Sequence, residues 1–250
     1  MEVAARERAY VRVKGPDAAD YLQRMVSNNV ESLAASEACP ALLLTPKARV
    51  IAPVVVWRRG EQDFLVLTEP ELGDVVRALL TRMRLRAQCE IELEEHASVL
   101  VFGEDAVGFA TDFPGAVEAV DAGLAPTLAP EELERRRIEA GVPRWGREID
   151  ERILPAEAGL DATHVDFGKG CYPGQEPVAR LHYRGHPNRA LRVLELERVP
   201  DYDAELVLDG KAVGRVTSAA QRADGTVVAL AYVRTEVPAD AQLALAHATA

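Results

Sequence analysis

The sequence predicts an α+β fold that ends in a small antiparallel β-barrel. Two strong helical patterns, in residues 68–83 and 130–140, lie among segments that have the alternation or the apolar runs of strands. From about residue 190 the pattern changes to short β-rich segments separated by Asp-Gly turns at Asp209 and Asp224. Short strands joined by tight turns are typical of a small antiparallel barrel.

The first predicted element is a helix that begins at Pro16 and closes at Asn28 and Asn29. Residues 130–140 form a later helix, with acids in its first turn, arginines afterwards, and Gly141 just beyond its end. Because the apolar side chains of the first helix recur on one face, we expect that helix to pack against the core. These side chains are Ala18, Leu22, Met25 and Val26.

Residues 45–122 are predicted to form a split α+β unit, in which a helix covers a sheet. Thr68 and Glu71 have the spacing of a capping box at the start of this helix. Pro53 marks the first strand as an edge or bulged strand, because proline cannot donate a hydrogen bond to a neighbouring strand. The predicted strands are residues 50–57, 64–67, 88–93 and 98–102.

Composition indicates a core of ordinary size and disfavours several functional classes. The chain has 250 residues, 48% of them hydrophobic, and contains no run of about 18 apolar residues. Its first segment, MEVAARERAY, is polar, and its three cysteines are widely separated. Both features favour a cytoplasmic protein without a disulfide framework. Because the net charge is −11, we expect no direct binding to nucleic acid, and we expect no membrane partner.

The run GKGCYPGQE carries the strongest chemical signal in the sequence. Three glycines surround Cys171, which favours a loop whose backbone can turn sharply and approach a ligand closely. Lys169 lies two residues from the thiol, and a nearby cation can lower the pKa of a cysteine. Cys171 is therefore a candidate reactive thiol. The alternative is a cysteine that merely fills space in a turn.

The other cysteines and the histidines carry weaker signals. Cys89 alternates with acidic residues and is expected on the buried face of a strand, whereas Cys39 gives no chemical signal. Three dispersed cysteines of one chain cannot supply four-thiolate ligation of an iron–sulfur cluster. His182 and His186 have the spacing of metal ligands on a helix, but the glycine and proline beside them disfavour a helix. No metal site is predicted.

The segment KGCYPGQE, residues 169–176, resembles the signature of the YgfZ family, which is KGC, an aromatic residue, one variable residue and GQE. The likeness covers most of residues 10–190, through VKGPDAADYLQRMVSNNV, LLLTPKARVIAPVVVW and RIEAGVPRWGREIDERILPAEAGLD. It implies the three-domain fold of the aminomethyltransferase T protein, with a folate in a central channel. The implied domains are a discontinuous folate-binding domain (residues 1–44 and 123–185), a ferredoxin-like α+β domain (45–122) and a C-terminal β-barrel domain (186–250).

The resemblance also implies a function. YgfZ-type proteins bind tetrahydrofolate or a derivative and support the assembly or maintenance of iron–sulfur enzymes, including ones that thiolate tRNA. The implied partners are folate and iron–sulfur proteins or their assembly factors. In the T protein, the segment matching residues 48–57 carries an acidic pair that includes the catalytic aspartate, but here those positions are Ala52 and Pro53. Aminomethyl transfer by the usual route is therefore not expected.

A folate site follows from the same resemblance. Glu139 matches the T-protein glutamate that pairs with the pterin, and an ionised carboxylate can accept two hydrogen bonds from an aminopyrimidine edge. The alternative for Glu139 is a solvent-facing helix residue. The basic stretch around Arg180 and Arg184 is expected to attract the glutamate tail of the folate, with a solvated face as its alternative. The other expected folate contacts are Trp145, Lys169, Tyr172, Gln175 and Glu176.

Two other functions stay open at this point. The first is a one-carbon transferase that uses a carboxylate outside positions 52 and 53 as its acid and base. The second is a folate-sensing interaction module without chemistry. Assays of tetrahydrofolate-dependent transfer would identify the first, and alkylation of Cys171 would separate a thiol function from the second.

Overall fold

The computed structural model describes residues 1–246 and confirms the α+β class. Within this range the chain forms four α-helices and three antiparallel sheets. The helices are α1 (Ala18–Met25), α2 (Gly73–Met83), α3 (Pro130–Glu139) and α4 (Gln175–Arg184). The strands are β1 (Glu2–Arg6), β2 (Ala9–Lys14), β3 (Ala38–Leu44), β4 (Val50–Gly60), β5 (Asp63–Thr68), β6 (Glu90–Glu94), β7 (Ser98–Phe102), β8 (Phe109–Ala110), β9 (Ala116–Val120), β10 (Arg189–Leu196), β11 (Glu205–Leu208), β12 (Lys211–Gln221), β13 (Val227–Arg234) and β14 (Ala244–Leu245).

The main sheet has five strands in the order β3-β4-β5-β2-β6 and packs on both of its faces. Val54 and Val56 belong to the core beneath α1 and α2, whereas Val55 between them faces the second sheet. The second sheet has the order β1-β7-β9-β8, and its Phe109 stacks on Trp57 of the main sheet with 4.7 Å between ring centroids. Packing on both faces explains the long apolar run in β4.

Pro53 is not on an edge strand, because β4 pairs with β3 on one side and with β5 on the other. The ladder with β5 ends at Val54, so the proline lies where one of the two neighbouring strands is absent. The predicted bulge is present: the register with β3 shifts between Leu43 and Leu44, which leaves Ile51 as the extra residue. Of the two alternatives predicted for this strand, the bulged one is confirmed.

The helix after β5 begins later than predicted. The Thr68 hydroxyl donates a hydrogen bond to the Pro53 carbonyl at 2.9 Å, so it does not cap the helix, and the predicted capping box is wrong. A 3₁₀ turn at Pro70–Leu72 comes first, and α2 follows with Val76 and Leu80 fully buried.

The sheets draw strands from both sides of the predicted boundary at residue 45. Strands β2 and β3 pair with β4, β5 and β6 in the main sheet, and β1 pairs with β7 in the second sheet. The N-terminal strands thus complete sheets whose other members come from residues 45–122. Hydrogen bonding in the sheets marks no boundary at residue 45, and the division into three domains stays a prediction.

The third sheet has the order β10-β13-β12-β11-β14 and is open, so the predicted closed barrel is not formed by residues 186–246. Its edge strands β10 and β14 do not pair with each other in this range. Helix α3 covers one face instead, where Ile138 packs with Val228 and Leu230. The predicted Asp-Gly turn at Asp209 is confirmed, since Asp209 and Gly210 have φ of 51° and 76° between β11 and β12. Residues 247–250 of the predicted domain lie outside the described residues.

Candidate functional site

A cavity of about 570 Å³ lies where the three sheets meet, and we call it the central cavity. Pro40 and Pro53 reach it from the main sheet, Asp112 from the loop after β8, and Leu191 from the third sheet. The segment after α3, residues 140–143, closes another side. A cavity of this size with a mixed apolar and polar lining is typical of a small-molecule site.

A buried network of charges backs one wall of the central cavity and reaches the lining through Asp112. The Arg8 guanidinium donates to Asp112 at 2.8 Å and to Glu118 at 2.9 Å, and Arg6 donates to Asp112 at 3.1 Å. The side chains of Arg8 and Glu118 are 1% and 0% exposed. Burial alone would raise the pKa of Asp112, but the charges of Arg8 and Arg6 outweigh it and hold that pKa well below its usual range. Asp112 is therefore an ionised acceptor.

Glu69 is the other carboxylate on this wall, and it has fewer partners. Its side chain is 13% exposed, and the one described hydrogen bond of its carboxylate is a long one of 3.4 Å from Arg6. The rest of its accepting capacity is unused among residues 1–246.

His164 contributes a neutral imidazole to the same cavity. The residue is 5% exposed, and burial lowers its pKa to about 4 although the charge of Asp112 opposes the shift. Its Nδ1 lies 2.8 Å from the Thr163 hydroxyl, and its backbone carbonyl accepts a hydrogen bond from Ser27 at 2.6 Å. The first contact orients the ring and the second holds the backbone of the residue, and Nε2 has no hydrogen-bonding partner among the described residues.

The loop that carries Cys171 is anchored on its N-terminal side by Lys169. The ammonium donates to the carbonyls of Gln23 at 2.5 Å, Val26 at 2.6 Å and Asn28 at 2.9 Å, which lie at the C-terminal end of α1. Burial lowers the pKa of Lys169 to about 8. These carbonyls would otherwise lack partners, so Lys169 holds the loop against α1. A ligand contact by Lys169 would have to compete with three hydrogen bonds.

A glycine anchors the other side of the loop. Gly174 has φ of +83°, and a Cβ there would come within 2.5 Å of the Thr45 carbonyl. Only glycine fits both the conformation and the close approach. Tyr172 is buried in a core cluster, which raises its pKa to about 12, and its N–H donates to the Gln175 side chain at 3.2 Å. The thiol of Cys171 stands exposed between these anchors.

The remaining cysteines are shielded. Cys39 is half-buried and has its pKa raised to about 12 by burial, and burial also raises the pKa of Cys89. Cys89 is 5% exposed as expected, but it lies just before β6 and not within that strand. Leu93, on the same predicted face, is 45% exposed because β6 is an edge strand. Cys171 is thus the exposed thiol of the three.

Two residues predicted to contact folate lie away from the central cavity. Glu139 accepts hydrogen bonds from Arg222 at 2.7 Å and from Arg135 at 2.6 Å, so both of its oxygens are engaged, and its pKa is lowered chiefly by the bond to Arg222. Trp145 lines a separate groove of about 600 Å³ with Val75.

Helix α4, which the sequence analysis did not predict, carries the remaining candidates. Glu176 lies in its first turn, and Arg180 and Arg184 are exposed without an ion-pair partner in the described part of the chain. His182 is inside the helix and His186 is beyond its end, and residues 1–246 contain no group of three or more potential metal-binding side chains. The loop therefore brings Lys169, Cys171, Tyr172 and Gln175 together, whereas Glu139 and Trp145 are elsewhere.

Sequence patterns did not indicate the charged wall of the central cavity or His164. Arg8 and Asp112 are 104 residues apart in the chain, so no local pattern links them. The available signal was the pair Arg6 and Arg8 at alternating positions beside an apolar strand, which is unusual unless both charges are paired.

Comparisons with known proteins agree with the motif. Residues 6–109 match the family model of the GCVT N-terminal domain. The tRNA-modifying protein YgfZ of Serratia proteamaculans (strain 568) is 27% identical over 96% of this chain and 86% of that protein. The protein of the same name from Yersinia pestis (strain Pestoides F) is 28% identical over 94% of this chain and 84% of its own length.

Over nearly its whole length, the chain is similar to the YgfZ proteins. Among solved structures, the glycine cleavage system aminomethyltransferase T from Bartonella henselae superposes with a TM-score of 0.74 over 91% of this chain and 76% of that chain. At 18% identity this likeness shows a shared fold alone. The expected similarity to YgfZ-type proteins and to the T-protein fold is confirmed. No helix within residues 1–246 is long and apolar enough to cross a membrane.

Proposed function

We propose that this YgfZ homologue binds tetrahydrofolate or a derivative and supports the assembly or maintenance of iron–sulfur enzymes, including ones that thiolate tRNA. The observation that carries the proposal is the exposed thiol of Cys171 in a loop anchored by Lys169 and Gly174. The relatives called tRNA-modifying protein support the link to tRNA. A thiol held outside the fold is accessible to a protein partner, as a nucleophile or as a soft metal ligand.

The lining of the central cavity fits a folate ring system. An aminopyrimidine edge donates hydrogen bonds and needs carboxylate acceptors, while Pro40, Pro53 and Leu191 supply apolar contact for the rings. Because both oxygens of Glu139 are engaged by arginines, Glu69 is the carboxylate with accepting capacity to offer. We assign the acceptor role to Glu69. Bound tetrahydrofolate would supply a carrier nitrogen for one-carbon groups.

A one-carbon transferase is the second candidate, because carboxylates do line the cavity. Asp112, however, is ionised and shared between two arginines, which makes it a poor proton donor. The residues at positions 52 and 53 carry no carboxylate: Ala52 is fully buried, and Pro53 lines the cavity. We therefore propose that aminomethyl transfer is absent or trace.

Titration of the protein with tetrahydrofolate, which measures the affinity, tests the folate part of the proposal. Glu69→Gln and Glu139→Gln are matched variants that remove one carboxylate each. We expect Glu69→Gln to weaken binding by about 1–3 kcal/mol and Glu139→Gln to leave it nearly unchanged. The opposite order would return the acceptor role to Glu139. Absence of binding to the wild-type protein would reject the folate proposal.

The thiol part is tested in cells that lack this protein. The activity of a tRNA-thiolating iron–sulfur enzyme is measured with the wild-type chain, with Cys171→Ser and with Glu71→Gln as an exposed control. Of the three proteins, we expect only Cys171→Ser to fail to restore the activity of the iron–sulfur enzyme. Full support by a folded Cys171→Ser protein would show that the thiol does not carry the function.

A further inference from the structure

An open cleft of about 460 Å³ lies between the third sheet and residues 147–153. It shares no lining residue with the central cavity. Tyr232 and Ile153 contribute to its lining. This cleft has no role in the function proposed above.

Five arginines line the cleft, and its acidic residues do not balance them. Glu148 has a side chain that is 0% exposed and accepts hydrogen bonds from Arg137 at 3.1 Å and Ser218 at 2.7 Å, so its charge is engaged inside the protein. Asp150 pairs with Arg152, and Asp203 pairs with Arg215 at 2.7 Å. Within the lining, Arg147, Arg189 and Arg234 are opposed by Glu205. Arg189 and Arg234 also pair with acids outside the lining, Glu157 at 3.1 Å and Glu236 at 3.4 Å, so the guanidinium of Arg147 is the one without an ion pair among the described residues.

Two of these arginines are held in place by tyrosine rings. The Arg147 guanidinium carbon lies 4.9 Å from the ring centroid of Tyr202, and that of Arg189 lies 4.7 Å from the ring centroid of Tyr232. Tyr232 is fixed in turn by donating its hydroxyl hydrogen to the Glu148 carbonyl at 2.7 Å. The Arg147 guanidinium has no hydrogen-bonding partner within residues 1–246, and the Arg189 guanidinium uses only Nε, toward Glu157.

We propose that this cleft binds a small multivalent anion that carries two or more phosphate or carboxylate groups. Planar guanidinium groups with free N–H donors match the oxygens of both group types in a two-pronged geometry. Stacking on tyrosine orients the guanidinium planes before a ligand arrives, which reduces the entropy lost on binding. In a chain with net charge −11, five arginines around one cleft are a local concentration of guanidinium groups, and Arg147 and Arg189 keep N–H donors that no described residue uses.

Calorimetric titrations with inorganic pyrophosphate and with citrate distinguish a ligand that carries phosphate groups from one that carries carboxylate groups. At about 20 mM salt we expect one of the two to bind at a single site, and binding should weaken as salt rises toward about 300 mM. Pyrophosphate binding alone assigns the cleft to phosphates, and citrate binding alone assigns it to carboxylates. Binding of neither probe at low salt overturns the proposal.

Variants locate the binding. Arg147→Gln removes an exposed guanidinium whose described contact is the Tyr202 ring, so the fold is expected to persist. We expect Arg147→Gln and Arg189→Gln each to weaken binding by roughly tenfold. Arg86→Gln, an exposed arginine in the loop after α2, is the matched control and should bind like the wild type. Equal affinity of a folded Arg147→Gln protein and the wild type would overturn the assignment to this cleft.

Discussion

The wall of the central cavity and the loop around Cys171 hold their reactive groups in opposite ways. The wall keeps charges inside the protein, where Arg8 pairs with Asp112 and Glu118 across two segments of the chain. The loop keeps its thiol outside, and its internal contacts, made by Lys169 and Gly174, serve to hold that position. Substitutions in the wall should therefore change stability, whereas substitution of the thiol should change function alone.

Replacement of Arg8 should have the largest effect. Arg8→Met leaves Asp112 and Glu118 buried without their shared partner, and breaking a buried ion pair typically costs about 3–5 kcal/mol. Urea unfolding measures this loss. Arg24→Met removes an exposed arginine that pairs with Asp20 and should cost less than about 1 kcal/mol. Equal losses in the two variants would contradict the contrast between wall and surface.

Two histidines, buried His164 and ion-paired His96, should make the stability of the protein depend on pH in opposite directions. The folded pKa of His164 is lowered to about 4, so its contribution to stability is present above the unfolded pKa of about 6.5 and is lost as pH falls toward 4. The loss should approach about 3 kcal/mol at the acid end. His164→Gln should remove this part of the acid dependence of unfolding. Nuclear magnetic resonance should show an unprotonated His164 ring at pH 5.

His96 should behave with the opposite sign. Burial alone would lower its pKa, but hydrogen-bonding contacts with Glu94 at 2.8 Å and Asp121 at 2.6 Å outweigh it and raise the pKa. Its contribution is therefore complete below about pH 6.5 and is lost as pH rises through the folded pKa. Nuclear magnetic resonance should place its titration above that of a free histidine. A normal pKa for His96 would show that it does not form charged contacts with Glu94 and Asp121.

Loss of Lys169 should rank next among the stability effects. Lys169→Met removes the donor to three carbonyls at the end of α1, and we expect a loss of about 2 kcal/mol in urea unfolding. Lys47→Met, at an exposed lysine, should change stability by less than about 0.5 kcal/mol. If Lys169→Met is as stable as the wild type while folate binding falls, Lys169 contacts the ligand as the sequence predicted.

Local patterns predicted the parts of the fold that depend on near neighbours. The helices α1 to α3 and the turn at Asp209 follow from spacing and turn residues within a few positions. Helix α4 was not predicted, because its ten residues contain a proline and few apolar side chains. Gly174, just before it, also indicated a loop. The open third sheet could not be predicted either, since α3 covers it from a distant part of the chain.

The candidate site likewise has a part that local sequence patterns predict and a part that depends on distant contacts. The exposed thiol follows from one contiguous motif, and the sequence indicated it correctly as part of a loop. The central cavity depends on contacts between residues about 100 positions apart, such as Arg8 with Asp112 at a separation of 104, and single-sequence patterns carry no such information. Glu139 was predicted from its place in a motif, and the arginines that engage it come from α3 and from the turn between β12 and β13.

Replacement of Cys171 should have the smallest effect on stability. Cys171→Ser keeps the size and polarity of an exposed side chain, so unfolding in urea should change by less than about 0.5 kcal/mol. Mild alkylation of the native wild-type protein should label Cys171 before Cys39 and Cys89, whose thiols are shielded by burial. Labelling of Cys89 first would mean that the segment before β6 opens more readily than the loop. A large loss of stability in Cys171→Ser would make the thiol part of the packing, and the anchors at Lys169 and Gly174 would then hold a structural turn without an accessible nucleophile.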